Sequence, residues 1–137
     1  MLSREQLSKE HAELDALAVR LLETLDAERP PVGLSALRWR LNHLLMVHLA
    51  KEDKLLYPSL LAMPAARALA QRFADEMGGL ASTYLAYNAA WPIERIEQDW
   101  AGFGAATRGV MKALRQRILR EERDLYPRIA LDSSAAA

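Results

Sequence analysis

Four long segments of this chain carry apolar residues at the spacing of an α-helix, and prolines or glycines separate the segments. Nothing in the sequence alternates apolar and polar residues as a half-buried strand would. Amphipathic helices joined by short connections bury their apolar faces by packing side by side. We therefore predict an all-α fold, an antiparallel up-down-up-down four-helix bundle over residues 1–131, followed by a flexible tail over residues 132–137.

Capping residues and breakers place the ends of the first two helices. Ser3 is a good N-cap for helix 1, and Gln6 three residues later completes a capping-box pattern. Helix 2 is expected to run from about Ser35 to Leu56, with Leu55 among the residues on its core side. Pro58 is expected to end this helix, because proline has no backbone N–H to donate.

The third and fourth helices carry more glycine. Helix 3 is expected from about Pro64 to the break at Trp91, with a bend or close helix contact at Gly78 and Gly79 in its middle. Helix 4 is clearest over Thr107–Tyr126, and its start is left open because two glycines precede that range.

Composition excludes several classes of function. The chain of 137 residues has no cysteine, so disulfides, thiolate catalysis and cysteine-ligated metals are ruled out. Its 18 basic and 18 acidic residues cancel, which gives no overall field that would attract nucleic acid. The N-terminus lacks the apolar run of a signal peptide, and no segment is apolar enough to span a membrane. We expect a cytoplasmic protein with neither a nucleic acid nor a membrane as partner.

Enzymatic motifs are also missing from the sequence. There is no nucleophile–base pair, no phosphate-binding glycine loop and no dinucleotide-binding fingerprint. No catalytic residue is therefore assigned, and an enzymatic activity would depend entirely on a bound metal.

An eleven-residue segment occurs twice. "HLAKEDKLLYP", His48–Pro58, returns as "RILREERDLYP", Arg117–Pro127. Both copies have a glutamate at the fifth place, Glu52 and Glu121, a second acid beside it, and the ending Leu-Tyr-Pro. The repeat predicts two pseudo-symmetric helical hairpins, helices 1–2 and helices 3–4, with these two carboxylates facing each other. Each Tyr-Pro pair is interpreted as a helix terminator.

Polar residues occupy positions on the core stripes of three helices. His11 lies on the stripe of helix 1, and His48 and Glu52 share one face of helix 2 because they are four residues apart. Arg117 and Glu121 share one face of helix 4 in the same way. Charged groups are almost never fully buried unless they are paired or bind a metal. These residues are therefore predicted to meet in the bundle interior.

This pattern resembles the hemerythrin-like family, the HHE cation-binding domains. The resemblance rests on His11, on His48 and Glu52 before "LLYP", and on Glu121 before "LYP". In that family a four-helix bundle holds a non-haem di-iron centre through histidines from all four helices and two bridging carboxylates. Its members bind oxygen, or sense oxygen, nitric oxide or iron. The resemblance implies that His11, His48, Glu52 and Glu121 are metal ligands.

The second hairpin departs from the family pattern. Met77 corresponds to His11, because "EM" aligns with "EH", and Arg117 corresponds to His48. A thioether is a poor ligand for hard iron ions, and a guanidinium cannot bind a cation. These two degenerate ligand positions argue against a complete di-iron centre.

Two interpretations of the remaining residues stay open. In the first, the four ligands hold one divalent metal ion, with iron as the first candidate and manganese or zinc as alternatives, and the domain has a sensing or regulatory role. A small diatomic ligand would then be a natural partner. In the second, the protein is a metal-free regulatory or protein-interaction bundle, in which Arg117 replaces the metal by pairing with Glu52 and Glu121. The sequence does not identify a protein partner.

Overall fold

The computed structural model describes residues 2–129, which form an antiparallel four-helix bundle, as predicted. The first hairpin consists of α1, Arg4–Thr24, and α2, Leu34–Lys51, and the short helix α3, Tyr57–Leu61, follows it. The third arm is made of α4, Arg67–Met77, and α5, Leu80–Ala90, and the fourth arm is α7, Trp100–Arg120, preceded by the short helix α6, Ile93–Gln98. The expected end of the bundle at residue 131 and the expected tail lie outside the described residues.

The N-terminus of α1 is capped as the sequence predicts. The Ser3 hydroxyl accepts a hydrogen bond from the backbone N–H of Gln6 at 3.1 Å. This bond pairs one of the backbone donors that the first turn of a helix leaves free. The start of α7, which the sequence left open, is set in the same way, because the Asp99 carboxylate accepts from the N–H of Gly102 at 2.9 Å.

Two short π-helical segments extend the long helices, over Glu52–Leu56 after α2 and over Glu121–Leu125 after α7. In the first segment the N–H of Tyr57 bonds to the carbonyl of Glu52, five residues back. The wider turn shifts the side-chain phase, so Leu56 is 2% exposed and Leu55 is 57% exposed. The expectation that Leu55 faces the core is therefore wrong, because it assumed an uninterrupted α-helix.

The two prolines that were expected to stop helices do not stop them. Pro58 lies in the first turn of α3, which continues to Leu61. Proline is tolerated there because the first turn has backbone N–H groups without helical partners. The chain likewise remains helical through Pro127 to Ile129.

The glycine pair in the third arm produces a break rather than a bend. Helix α4 ends at Met77 and α5 begins at Leu80, with Gly78 and Gly79 between them. A Cβ on Gly78 would overlap the carbonyl oxygen of Ala74, so this close turn needs glycine.

The interior of the bundle has two apolar clusters with a polar layer between them. Along α1, Leu7 belongs to one cluster and Leu14 to the other, and the buried His11 lies between them. Along the fourth arm, Leu114 and Leu125 belong to different clusters in the same way. No helix within residues 2–129 has both the length and the apolar character that a membrane crossing requires.

Candidate metal centre

The polar layer brings together the four residues that the sequence singled out as ligands. His11 comes from α1, His48 from α2, and Glu52 and Glu121 each begin one of the two π-helical segments. All four are buried, and one ligand atom from each lies within 4.8 Å of the others. We call this set the four-residue centre. π-Helical turns are frequent at functional sites, and here each one starts at a carboxylate of the centre.

Both histidines are oriented by carboxylates outside the centre. His11 Nδ1 lies 2.7 Å from Glu122 Oε2, and His48 Nδ1 lies 2.8 Å from Glu10 Oε1. Burial opposes ionisation of Glu10, but hydrogen bonds from Lys51 and His48 outweigh it and lower the pKa of Glu10. Because the ionised Glu10 carboxylate only accepts hydrogen bonds, His48 Nδ1 is the donor in this pair. The Nε2 atoms are left to face the interior, as in metal sites whose histidines are held by carboxylates.

The facing atoms of the centre need a cation or a proton between them. His11 Nε2 lies 3.1 Å from Glu121 Oε1, and His48 Nε2 lies 3.3 Å from Glu52 Oε1. In neutral imidazoles these contacts bring lone pairs against lone pairs. Among the described residues, His48 Nε2 and Glu121 Oε1 are buried without a hydrogen-bond partner, which is costly. The donor set of two imidazole nitrogens and two carboxylates therefore fits a divalent metal ion.

Arg117 approaches the same carboxylates from the side of the second hairpin. Its side chain is 1% exposed, its Nε donates to Glu121 Oε2 at 3.1 Å, and its Nη2 donates to Glu52 Oε1 at 3.2 Å. The same Nη2 donates to Asp53 at 2.8 Å, and Nη1 donates to the backbone carbonyl of Met77 at 3.1 Å. Burial alone would lower the pKa of Arg117, but the charges of Glu121 and Glu52 raise it. The guanidinium is thus a fixed positive charge that bridges the two carboxylates.

Two tyrosines also donate hydrogen bonds to the two carboxylates, and each one binds the carboxylate of the other hairpin. Tyr57, from the first hairpin, donates to Glu121 Oε2 at 2.7 Å, and Tyr126, from the second, donates to Glu52 Oε2 at 2.5 Å. Burial is the main reason that the pKa of each tyrosine is raised, so both remain hydrogen-bond donors. The Tyr126 ring also stacks on His11, with the ring centroids 4.7 Å apart.

The two carboxylates of the centre differ in their affinity for protons. Burial and the neighbouring charge of Glu52 raise the pKa of Glu121 to about 7. Burial also acts against Glu52, but the close contact with His48 at 3.3 Å and the charge of His48 outweigh it and lower the pKa of Glu52 to about 2. The same pairing raises the pKa of His48 against the effect of burial. Protons would therefore compete with a metal ion for the oxygens of Glu121.

The sequence predicted the residues at the heart of the site but missed the residues that support them. All four members of the centre converge, and the degenerate positions Met77 and Arg117 border it, as the repeat implies. The missed supporting residues are Glu10, Asp53, Glu122 and the hydroxyl groups of Tyr57 and Tyr126. The available signal is an acid directly beside a core histidine or glutamate, as at Glu10, Asp53 and Glu122.

Comparison with known proteins agrees with this geometry. The family model of the hemerythrin HHE cation-binding domain matches residues 3–129. Searches of curated proteins and of solved structures gave no significant match. The matched range covers the whole bundle, including both hairpins and the four-residue centre. The chain therefore belongs to the hemerythrin HHE cation-binding domain family.

Proposed function

We propose that this protein binds one divalent metal ion at the four-residue centre and has a sensing or regulatory role. The observation that carries the proposal is the pair of Nε2 atoms directed at carboxylate oxygens, with His48 Nε2 and Glu121 Oε1 lacking any other partner among residues 2–129. A cation between these atoms would satisfy all of them at once. Two imidazoles and two carboxylates suit Fe(II), Mn(II) or Zn(II), and the family resemblance puts iron first.

The contacts of Arg117 support one metal ion rather than two. Its guanidinium lies between the two carboxylates and the Met77 carbonyl, on the side where a second ion would need ligands. The positive charge of the guanidinium would repel a divalent ion bound next to it. The guanidinium also occupies carboxylate oxygens that such an ion would need as ligands. Neither Met77 nor Arg117 offers a good ligand atom for such an ion.

The surrounding residues would prepare the centre for its ion. Glu10 and Glu122 would direct the Nε2 atoms of the two histidines into the centre, where His11 Nε2 lies 3.0 Å from the Tyr126 hydroxyl. Tyr57 and Tyr126 would hold one oxygen of each carboxylate in place. A bound ion with an open coordination position would supply the chemistry that binds a small diatomic ligand. The burial of all four members would keep bulk water away from it.

Metal titration tests this proposal directly. Protein stripped with a chelator is titrated with Fe(II) under anaerobic conditions, and with Mn(II) and Zn(II), while bound metal is measured by elemental analysis. We expect about one equivalent with at least one of these ions, and its loss in His48→Ala. His43→Ala is the matched control, because His43 lies on the same helix but is exposed. Binding below about 0.1 equivalent with every ion, or binding of two equivalents, would contradict the proposal.

A metal-free bundle is the second candidate, favoured by the two carboxylate contacts of Arg117. In that case the guanidinium and a proton on the centre balance the buried charge, and the domain regulates through protein contacts. The substitution Arg117→His separates the two candidates. If the centre binds metal, this change adds a ligand and raises the metal content toward two equivalents. If Arg117 has taken the place of the metal, the wild type stays free of metal and only the variant, which loses that cation and gains an imidazole, binds it.

A further inference from the structure

The helix α2 is apolar on two opposite sides. Its core side is formed by buried leucines: Leu34, Leu37, Leu41, Leu45 and Leu49. Its opposite side carries a second row of mostly apolar residues spaced three or four apart: Ala36, Trp39, His43, Val47 and Ala50. We call this row the outer stripe. A surface helix normally carries polar residues opposite its core side, and a helix that is apolar all round is normally buried on both sides.

Trp39 is the most prominent residue of the outer stripe. Its side chain is 70% exposed, and its ring stacks on His43 with the centroids 5.6 Å apart. The stack limits the freedom of the indole, so less entropy is lost when a partner covers it. Exposed aromatic residues of this kind commonly anchor protein interfaces.

The first π-helical segment lengthens the outer stripe. Because the wide turn rotates Leu55 outward, this leucine continues the row beyond the end of α2. Val47, Ala50 and Leu55 line a shallow apolar depression together with Lys51 and Lys54. The apolar row therefore extends from Ala36 to Leu55, about five turns of helix.

The charges along α2 indicate the kind of partner. From Leu34 to Lys51 the helix has three basic residues and no acidic one. Arg38 bonds to Asn88 and Lys51 bonds to Glu10, whereas Arg40 is exposed beside the outer stripe and Lys54 beside its extension. Two copies of α2 packed on each other would bring like charges together. A partner with acidic residues beside its apolar row would be attracted instead.

We propose that the outer stripe is a docking surface for a partner helix whose apolar face is flanked by aspartate or glutamate. Trp39 is the anchor, and the small side chains of Ala36 and Ala50 let the two helix axes approach closely. Arg40 and Lys54 select the acidic flanks. The proposal does not depend on metal binding, because no member of the outer stripe belongs to the four-residue centre.

The test uses a synthetic amphipathic helical peptide with leucine and alanine on one face and glutamate on the flanks. Matched peptides carry glutamine or lysine in place of the glutamates. Binding is followed by tryptophan emission, and Trp39→Phe assigns the signal because Trp91 and Trp100 also fluoresce. We expect saturable binding of the glutamate peptide with a blue shift from Trp39. Its affinity should be about tenfold higher than that of the glutamine peptide.

Two sets of variants sharpen this test. Val47→Glu should abolish binding of the glutamate peptide, whereas Leu85→Glu, on the exposed face of α5, should leave it unchanged. The double change Arg40→Glu and Lys54→Glu should reverse the preference, so that the lysine peptide binds best.

Four results would overturn the proposal. One is the absence of saturable binding of the glutamate peptide with a Kd below about 1 mM, and another is equal affinity for the glutamate and glutamine peptides. A dimer in sedimentation velocity that Val47→Glu dissociates would show that a second copy covers the stripe. Binding to phosphatidylglycerol vesicles that is lost in Trp39→Ala would show that the occupant is a membrane surface.

Discussion

Replacing Arg117 by methionine removes the buried positive charge and keeps a side chain of similar length. The guanidinium is 1% exposed and donates hydrogen bonds to Glu52, Glu121 and Asp53. Without it, two fully buried carboxylates share the interior with one positive charge fewer. Removing one partner of a buried ion pair costs about 3–5 kcal/mol. In a chain of this size that loss lowers Tm by about 10 °C or more.

Urea unfolding of the metal-free protein in the presence of a chelator measures this loss. The matched control is Arg115→Met on the same helix, because the ion pair of Arg115 with Asp15 is 46% and 39% exposed at its two side chains. That change should cost less than about 1 kcal/mol. If Arg117→Met and wild type agree within about 0.5 kcal/mol, Arg117 does not compensate the buried carboxylates and the assignment is refuted.

Adding metal to the same variant extends the test. A divalent ion can now replace the lost charge, so Arg117→Met should gain more stability from metal than the wild type does. At one metal concentration for both proteins, set at a hundred times the Kd of the variant, the variant should gain about 2.7 kcal/mol and the wild type less. A wild-type gain that equals or exceeds the gain of the variant would mean that the guanidinium and the metal do not oppose each other.

Three further predictions concern residues around the centre and the start of α7. Glu10→Gln should lower metal affinity about tenfold in calorimetric titration, because the amide holds His48 less firmly, and unchanged affinity would refute the supporting role. Tyr126→Phe should lower the free energy of unfolding of the metal-free protein by about 1–3 kcal/mol, since a buried oxygen of Glu52 loses its donor; an unchanged urea midpoint would contradict this. Asp99→Ala should lower the stability by about 1 kcal/mol through loss of the N-cap, and equal stability would show that the cap is dispensable.

The bundle and the four-residue centre could be predicted because both follow from spacing along regular helices. A residue four positions after another lies on the same face, so His48 predicts the direction of Glu52 without any tertiary information. The repeat then places Glu121 by pseudo-symmetry. The regular helices, and the faces on which their residues lie, can therefore be predicted from short stretches of the sequence.

The missed features depend on geometry that regular spacing does not contain. Leu55 was placed wrongly because the π-helical turn contains about one residue more than an α-helical turn. The side chains in and after this turn therefore point in different directions than an uninterrupted α-helix would give them. Glu122 is noted in the sequence only as the second acid beside Glu121, because it lies outside the core phase, yet its side chain contacts His11 on a neighbouring helix. Such a contact depends on how two helices pack, which a single segment does not specify.

The crosswise tyrosine hydrogen bonds mean that both hairpins are needed to form the complete centre. Tyr57 holds Glu121 of the other hairpin, and Tyr126 holds Glu52 of the other hairpin. Neither hairpin alone contains both a carboxylate of the centre and the hydroxyl that holds it. The four ligands and the hydroxyls that hold them therefore come together only when the two hairpins pack against each other, and under the proposed function metal binding would report whether the bundle is closed.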